Sequence, residues 1–474
     1  MVTFSGGDRV YLSFPIFQNY KICHQIKMQK HPQNVIIKSR QITKQRECFC
    51  MINYNRLGYE IKRDFTNFSE KISKGLKRPQ CKFITQMIYG ILAGNKVHLS
   101  EIARSLNETI SLKKTIDRLS RNLFAFTQKD LVMKNYISEV KKQINEEQAV
   151  IVIDNSDITK PCSPKMEAIS DVHDGSTGEI KKGYFTVEAA VLSKDKKMPL
   201  PVYEKIFSAA EKGFVSATHE NIQCLKSLSG YFSKDCVRTL DRGFDANDYY
   251  RYFLKNDEKF VIRAKKNRNV IYKGKTKNIM DVANKYKGNY RMDYMDKHGK
   301  KIECKISYIP VQLCEFPNKN LVLVVVYGFG VQPMLLLTNL DISEKKKLCM
   351  IATKVYLMRW RIEEYFKFKK QQFELEDLRV MSLQSIRNLN LFATLATGYI
   401  AMITSEKEDT IFMLELKECS KRIFDVPKFI FYALGYAIER VLARTHSGIK
   451  GFLLKKEQSQ QLTLAQYFSI AGIE

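Results

Sequence analysis

Residues 356–370 read YLMRWRIEEYFKFKK. On a helix turning about 100° per residue, Tyr356, Glu363 and Lys370 stand at steps of seven and drift by only about 40° in all, while Arg359 lies about 60° from Tyr356 on the same side. One face therefore presents Tyr, Arg, Glu and Lys in order. Stripes at this spacing are usually apolar; this one is polar and mostly cationic. An i,i+4 ladder of Arg359, Glu363 and Lys367 accounts for the charges at about 0.3–0.5 kcal/mol per pair. It does not account for Tyr356 or for Trp360, the chain's only tryptophan. Aromatic rings beside guanidinium groups are what stacking on bases and clamping of phosphates require. Two readings follow: a solvated, salt-bridged helix, or a helix that carries a metal-binding carboxylate into a nucleic-acid cleft.

The charge balance favours the second. The chain sets 78 Lys and Arg against 50 Asp and Glu, a net charge of +28, so its field draws in polyanions. With 474 residues, 45% of them hydrophobic, it can bury the cores of two or three domains. Eleven cysteines form no CxxC pair and no Cys/His cluster at zinc spacing, and the Cys48 and Cys50 pair has no second half. Reduced thiols and a cytoplasmic location are the expectation. Residues 320–340, NLVLVVVYGFGVQPMLLLTNL, carry no charge, but Gly328, Gly330 and Pro333 divide them into two short pieces. Two buried strands are expected there, not a membrane span.

Residues 1–50 hold eight Lys or Arg against Asp8 and Glu47 and show no sustained period, so they read as a basic arm or a poorly ordered extension. Residues 51–146 read as helical and DNA-binding. Ser100 and Ser111 are expected to cap two short helices, the second carrying Lys113, Lys114, Arg118 and Arg121, as in a helix-turn-helix reader or a plain helical bundle. From 147 to 266 short β-branched runs alternate with helical stretches, which predicts an α/β layer. Residues 267–340 lose the helical period and read as a β-rich insertion, with YRMDYMD and KIECKISYI facing each other across KHGK. Helical pattern returns over 341–405, which holds the opening stretch, and over 406–474.

Two aspartates end short apolar runs, Asp154 after VIVI and Asp241 after RTL. In an α/β sheet such positions leave the packed layer and face the functional crevice. Together with Glu363 they make a set of hard oxygen donors suited to two Mg2+ or Mn2+ ions. Such a pair, about 3.5–4 Å apart, activates the attacking oxygen and stabilises the leaving one in phosphodiester cleavage. No HExxH, Gly-rich phosphate loop or GxSxG elbow competes with them. Of the neighbouring charges, Asp157 is expected in a cap or turn and Glu364 on the surface, and Arg242 is left open between DNA and a local ion pair.

The spacing Y-x2-R-x3-E-x6-K over Tyr356, Arg359, Glu363 and Lys370 resembles that of the YREK-signature bacterial insertion-sequence transposases, cut-and-paste DDE enzymes. IDNSDITKP with VHDGSTGEIKKGY resembles the block around that family's first aspartate, and TLDRGFD the block around its second, so the resemblance covers roughly 154–389. It implies an α/β fold with an RNase H-like catalytic core interrupted by an all-β insertion, between helical N-terminal and C-terminal regions. It further implies that Asp154, Asp241 and Glu363 hold the two metal ions, and that Arg359, Lys370 and Tyr356 contact the DNA strand. Trp360 and Lys367 join them as DNA-contact candidates. The implied partners are the transposon terminal inverted repeats, target DNA and a second copy of the chain in a paired-end complex, in a nucleoid-associated setting. Some members flip a base onto a tryptophan of the insertion; here the insertion has none, so either Tyr290, Tyr294, Tyr308 or Phe329 substitutes or the hairpin step differs, and the flipping residue is left open. The rival functions are a non-catalytic DNA-binding regulator derived from a transposase and a nuclease without strand transfer.

Overall fold

The computed structural model describes residues 52–453 apart from 176, 193–197, 296–300, 422–424, 428, 446–447 and 451. The basic stretch over 1–50 and the KHGK turn thus lie outside the described residues. Five helices come first: α1 (Tyr54–Ile72), α2 (Arg78–Gly94), α3 (Leu99–Leu106), α4 (Leu112–Ala125) and α5 (Lys129–Lys141). In α1, Leu57, Ile61, Phe65, Phe68 and Ile72 recur every three or four residues and are all buried, as an amphipathic helix requires. Ser111 caps α4 by accepting the Lys114 N–H. Ser100 is not a cap: the His98 carbonyl already accepts the N–H groups of Glu101 and Ile102, so α3 starts earlier and Ser100 lies within it.

An α/β layer follows, with β1 (Val150–Thr159), β2 (Ser170–His173), β3 (Ile180–Leu192), β4 (Leu200–Phe207), α6 (Ala217–Ser229), β5 (Val237–Leu240), α7 (Asn247–Asn256) and β6 (Phe260–Arg263). Strands β1, β5 and β6 are parallel neighbours, and β3 joins β1 antiparallel with β4 on its far side. The next stretch holds β7 (Asn269–Tyr272), β8 (Lys275–Asn278), α8 (Ile279–Ala283), β9 (Tyr290–Met295), β10 (Lys301–Leu313), β11 (Phe316–Tyr327) and β12 (Met334–Thr338). It is not wholly β, because Asn278 caps the five-residue α8 by accepting the Met280 N–H. Nor is its sheet separate: β12 returns to pair with β6, so the twelve described strands share one sheet, ten of them in the order β2-β3-β1-β5-β6-β12-β11-β10-β7-β8, with β4 on β3 and β9 on β10.

The uncharged run is two strands, as its glycines and proline imply. Alternate residues of β11 enter different cores: Leu321, Leu323 and Val325 face one and Val322, Val324 and Val326 the other. A strand covered on both faces needs apolar residues at every position, which is why this one shows no alternation. The second core is roofed by α9 (Lys345–Met358), whose Leu348, Ala352, Val355 and Tyr356 pack on the sheet. Then come α10 (Trp360–Gln372), the long α11 (Leu383–Lys407), α12 (Ile411–Cys419) and α13 (Ile430–Arg444). Buried α11 passes so near α5 that a Cβ on Gly398 would meet the Tyr136 hydroxyl at 2.3 Å. Among the described residues no helix is long and apolar enough to cross a membrane.

The stretch 356–370 is not one uniform helix. At Arg359 the ladder tightens to three-residue steps, with Arg359 N–H on the Tyr356 carbonyl and Ile362 N–H on that of Arg359, both at 3.0 Å. Tyr356 therefore belongs to α9, and Glu363 and Lys370 to α10.

Candidate active site

Parallel pairing of β1 with β5 ends at Ile153 opposite Leu240, so the next residue of each, Asp154 and Asp241, lies just past the last paired position of the two strands. Asp241 ends its strand as expected. Asp154 does not, because β1 runs on against β3 to Thr159, but its burial breaks off at Asp154. Asp157 consequently lies in a strand and not in a turn.

The helices supply the rest. Arg359 is only 4% exposed and divides its guanidinium between two carboxylates: Nη1 donates to Asp154 Oδ2 and Nη2 to Glu363 Oε1, each at 2.6 Å. Tyr356 is fully buried and donates its hydroxyl to Asp241 Oδ1 at 2.8 Å. The resemblance implies that both contact DNA; here each bonds an acid, since a buried guanidinium or phenol needs a partner. Glu363 keeps 46% of its side chain exposed and marks the open side of the site.

Burial raises the Asp154 carboxyl to about 7 in spite of Arg359, with the charges of Asp241 and Glu363 adding to the rise. Asp241 is less enclosed. Burial raises it too, but Arg359, the Arg242 N–H and the Tyr356 hydroxyl outweigh that and hold it below the usual carboxylate range. Tyr356 is pushed up to about 12 by burial and by Asp241, so it stays a neutral donor.

Donor chemistry fits a hard divalent ion, since three carboxylates from three separate elements surround one guanidinium. The triad is nevertheless wider than a closed single-ion cluster. Among the described residues, the group whose ligating atoms all lie within 4.8 Å of one another is His98, Glu374 and Asp377, where the His98 ring already contacts Asp377 at 3.1 Å and Lys96 already pairs with Glu374. At the triad, the Arg359 guanidinium lies between Asp154 and Glu363 and bonds both.

The other candidates are spread around the rim. Lys370 Nζ lies 3.3 Å from Asp157 and 3.2 Å from Glu376, while Lys367 is exposed. Trp360, 40% exposed, meets Phe329 edge-on at 6.2 Å, and Phe329 meets Tyr294 at 5.6 Å. The signature's tryptophan and two aromatics of 267–340 thus form one row, whereas Tyr308 lies under the Lys345 ammonium. Arg242 is exposed, and Glu364 approaches Arg361 at 3.7 Å.

One group had escaped notice. Glu188, opposite Asp154 in the β1–β3 ladder, is buried and accepts from Lys369 Nζ with both oxygens at 2.9 Å and from the Tyr365 hydroxyl at 2.6 Å. Its signal was a lone acid inside the apolar run VEAAV; Lys369 among its lysine neighbours gave none.

Residues 213–398 match the family model of the Transposase DDE domain, a span that holds Asp241 and the whole Tyr356, Arg359, Glu363 and Lys370 set and begins after Asp154. No curated protein matches the chain. Among solved structures it is similar to a piggyBac transposase, in a cryo-EM structure of its synaptic complex with hairpin DNA. That likeness has a TM-score of 0.39 at 12% identity, covering 90% of this chain and 86% of that one.

Proposed function

We propose that this chain is a cut-and-paste DDE transposase of the YREK-signature, insertion-sequence type, which cleaves transposon ends and joins them to target DNA. The observation that carries it is the contact between signature and strands: Arg359 bonds Asp154 and Glu363 together while Tyr356 bonds Asp241. The parallel strands β1, β5 and β6 flanked by antiparallel β3 and β4, with β7 to β12 between the second aspartate and the glutamate, support an RNase H-like core with an insertion.

In this reading Asp154, Asp241 and Glu363 would hold two Mg2+ or Mn2+ ions. Such ions, when bound, lower the pKa of the attacking water or 3′-OH and neutralise the leaving oxygen. Tyr356 orients the Asp241 carboxylate, and its raised pKa keeps the proton on the phenol. Arg359 neutralises the acids and, on moving outward, clamps the phosphate next to the scissile one. Lys367 and Lys370 border the strand's path. The Tyr294, Phe329 and Trp360 row offers an aromatic surface for an unpaired base at a cleaved or hairpin end. Two copies of the chain pair the two ends.

The deciding experiment is Mg2+-dependent nicking of the element's own terminal repeats. Ala at Asp154, Asp241 or Glu363 is expected to abolish nicking and leave end binding largely intact. Nicking that survives all three changes together would overturn the assignment, and nicked ends that never join target DNA would leave only a nuclease.

A further inference from the structure

Residues 265–287 contain Lys265, Lys266, Arg268, Lys273, Lys275, Lys277, Lys285 and Lys287 but a single acid, Asp281. Among the described residues only Arg268 of these forms a side-chain ion pair, with Asp245 at 2.6 Å. The seven lysines are exposed or, for Lys277, half-buried. Lys265 and Lys266 precede β7, while Lys273, Lys275 and Lys277 lie on the β7–β8 hairpin and Lys285 and Lys287 just after α8, at the outer edge of the sheet.

Lysine on an edge strand commonly serves only to block strand-to-strand aggregation. That explains Lys275 and Lys277 on β8. It does not explain Lys273, placed at the hairpin tip with φ of 50°, nor Lys285 beyond α8. Nor does it explain the nearness of Lys285 to Lys277, whose ammonium Lys285 holds below the usual lysine value. Like charges kept this close at a surface are relieved by an anion that spans them. The root of the hairpin is tied to the candidate active site, because Asp245, four residues after Asp241, accepts the Lys265 N–H at 2.6 Å and pairs with Arg268.

We propose that the β7–β8 hairpin and the turn after α8 are a second DNA-contact surface, in which Lys273, Lys275, Lys277 and Lys285 grip the phosphate backbone of duplex running away from the cleavage point. The surface reads no sequence; it adds affinity and orients the duplex. It rests on the transposase reading for its substrate, though not on the chemistry of the three acids.

The test compares the full chain with a variant carrying Lys273→Gln, Lys275→Gln, Lys277→Gln and Lys285→Gln. Binding of fluorescent duplexes bearing the terminal repeat, with short or long flanks beyond the nick, is followed by anisotropy across a KCl series. Each lost phosphate contact lowers the slope of log K against log salt by roughly 0.9, so the variant's slope on long duplexes is expected to be shallower by up to about 3.6. Its affinity there is expected to fall about tenfold or more, while duplexes trimmed near the nick bind both proteins alike. The matching Lys→Arg variant is expected to keep the wild-type slope, which separates lost charge from a damaged fold. An unchanged slope in the Gln variant, or an equal loss in the Arg variant, overturns the proposal. A wild-type chain that binds with a steep slope yet never nicks sinks the transposase reading and leaves this surface standing.

Discussion

Lys369 and Lys370 are adjacent in the chain and do opposite things. Lys369, 1% exposed, holds both oxygens of Glu188, Asn390 Oδ1 and Thr394 Oγ1, all at 2.9 Å. Lys370 keeps part of its surface and reaches Asp157 and Glu376 only at 3.3 and 3.2 Å. On the same inner side of α10, Phe368 stacks on Phe431 at 5.2 Å and meets Phe373 at 5.0 Å. Because Glu188 and Asp154 are opposite each other in an antiparallel pair, their side chains share one face of the sheet. The helix is thus bolted down beside the first aspartate by a saturated buried ion pair. Glu363 and Lys370, on the same helix, keep part of their side chains exposed. Burial, not residue type, separates anchoring from chemistry here.

The largest expected effect comes from breaking the bolt on one side. Lys369→Met leaves the Glu188 carboxylate buried without its cation, and stability should fall by roughly 3–5 kcal/mol. Urea unfolding followed by circular dichroism measures it. The double change Lys369→Met with Glu188→Met removes both charges and should recover most of that loss, since a packed apolar pair replaces an ion pair at little cost. A double variant as unstable as the single one would mean that the pair is more than an anchor, and the contrast with Lys370 would need redrawing.

Tyr356→Phe comes next. Asp241 loses the neutral donor that helps to keep its carboxyl below the usual range. A hydrogen bond to a charged group is worth about 1.5–3 kcal/mol. Stability to urea should drop by that order, and nicking should fall with it because Asp241 is no longer held. Full activity in Tyr356→Phe would show that the phenol is only core packing.

Much of this was legible in the residues. Periodicity located the helices α2 to α4, the apolar runs located β1, β5, β6, β11 and β12, and the heptad spacing selected Tyr356, Arg359, Glu363 and Lys370 together. What stayed hidden depends on pairing across long separations. Lys369 finds Glu188 from 181 positions away, and no local pattern marks which of three nearby lysines does so. The tightened turn at Arg359 has no Pro or Gly to announce it. The bond from Tyr356 to Asp241 was not legible either, because spacing reports a shared face and not whether that face is covered. Pairing of β12 with β6, which merges two regions into one sheet, rests on register and leaves no trace in composition.

The smallest expected effect on stability is the most useful for function. Lys370→Ala removes two long, partly solvated contacts, and such pairs contribute about 0–1 kcal/mol. Urea unfolding should therefore shift little. If Lys370 releases Asp157 and Glu376 to meet a phosphate, the salt slope of binding to terminal-repeat DNA should become shallower by roughly 0.9, with no change on unfolding. Were stability to fall by several kcal/mol instead, Lys370 would be a second anchor like its neighbour. Were neither quantity to move, the fourth member of the signature would contribute nothing to DNA binding, and its place beside Asp157 would have to be explained by the first aspartate's strand alone.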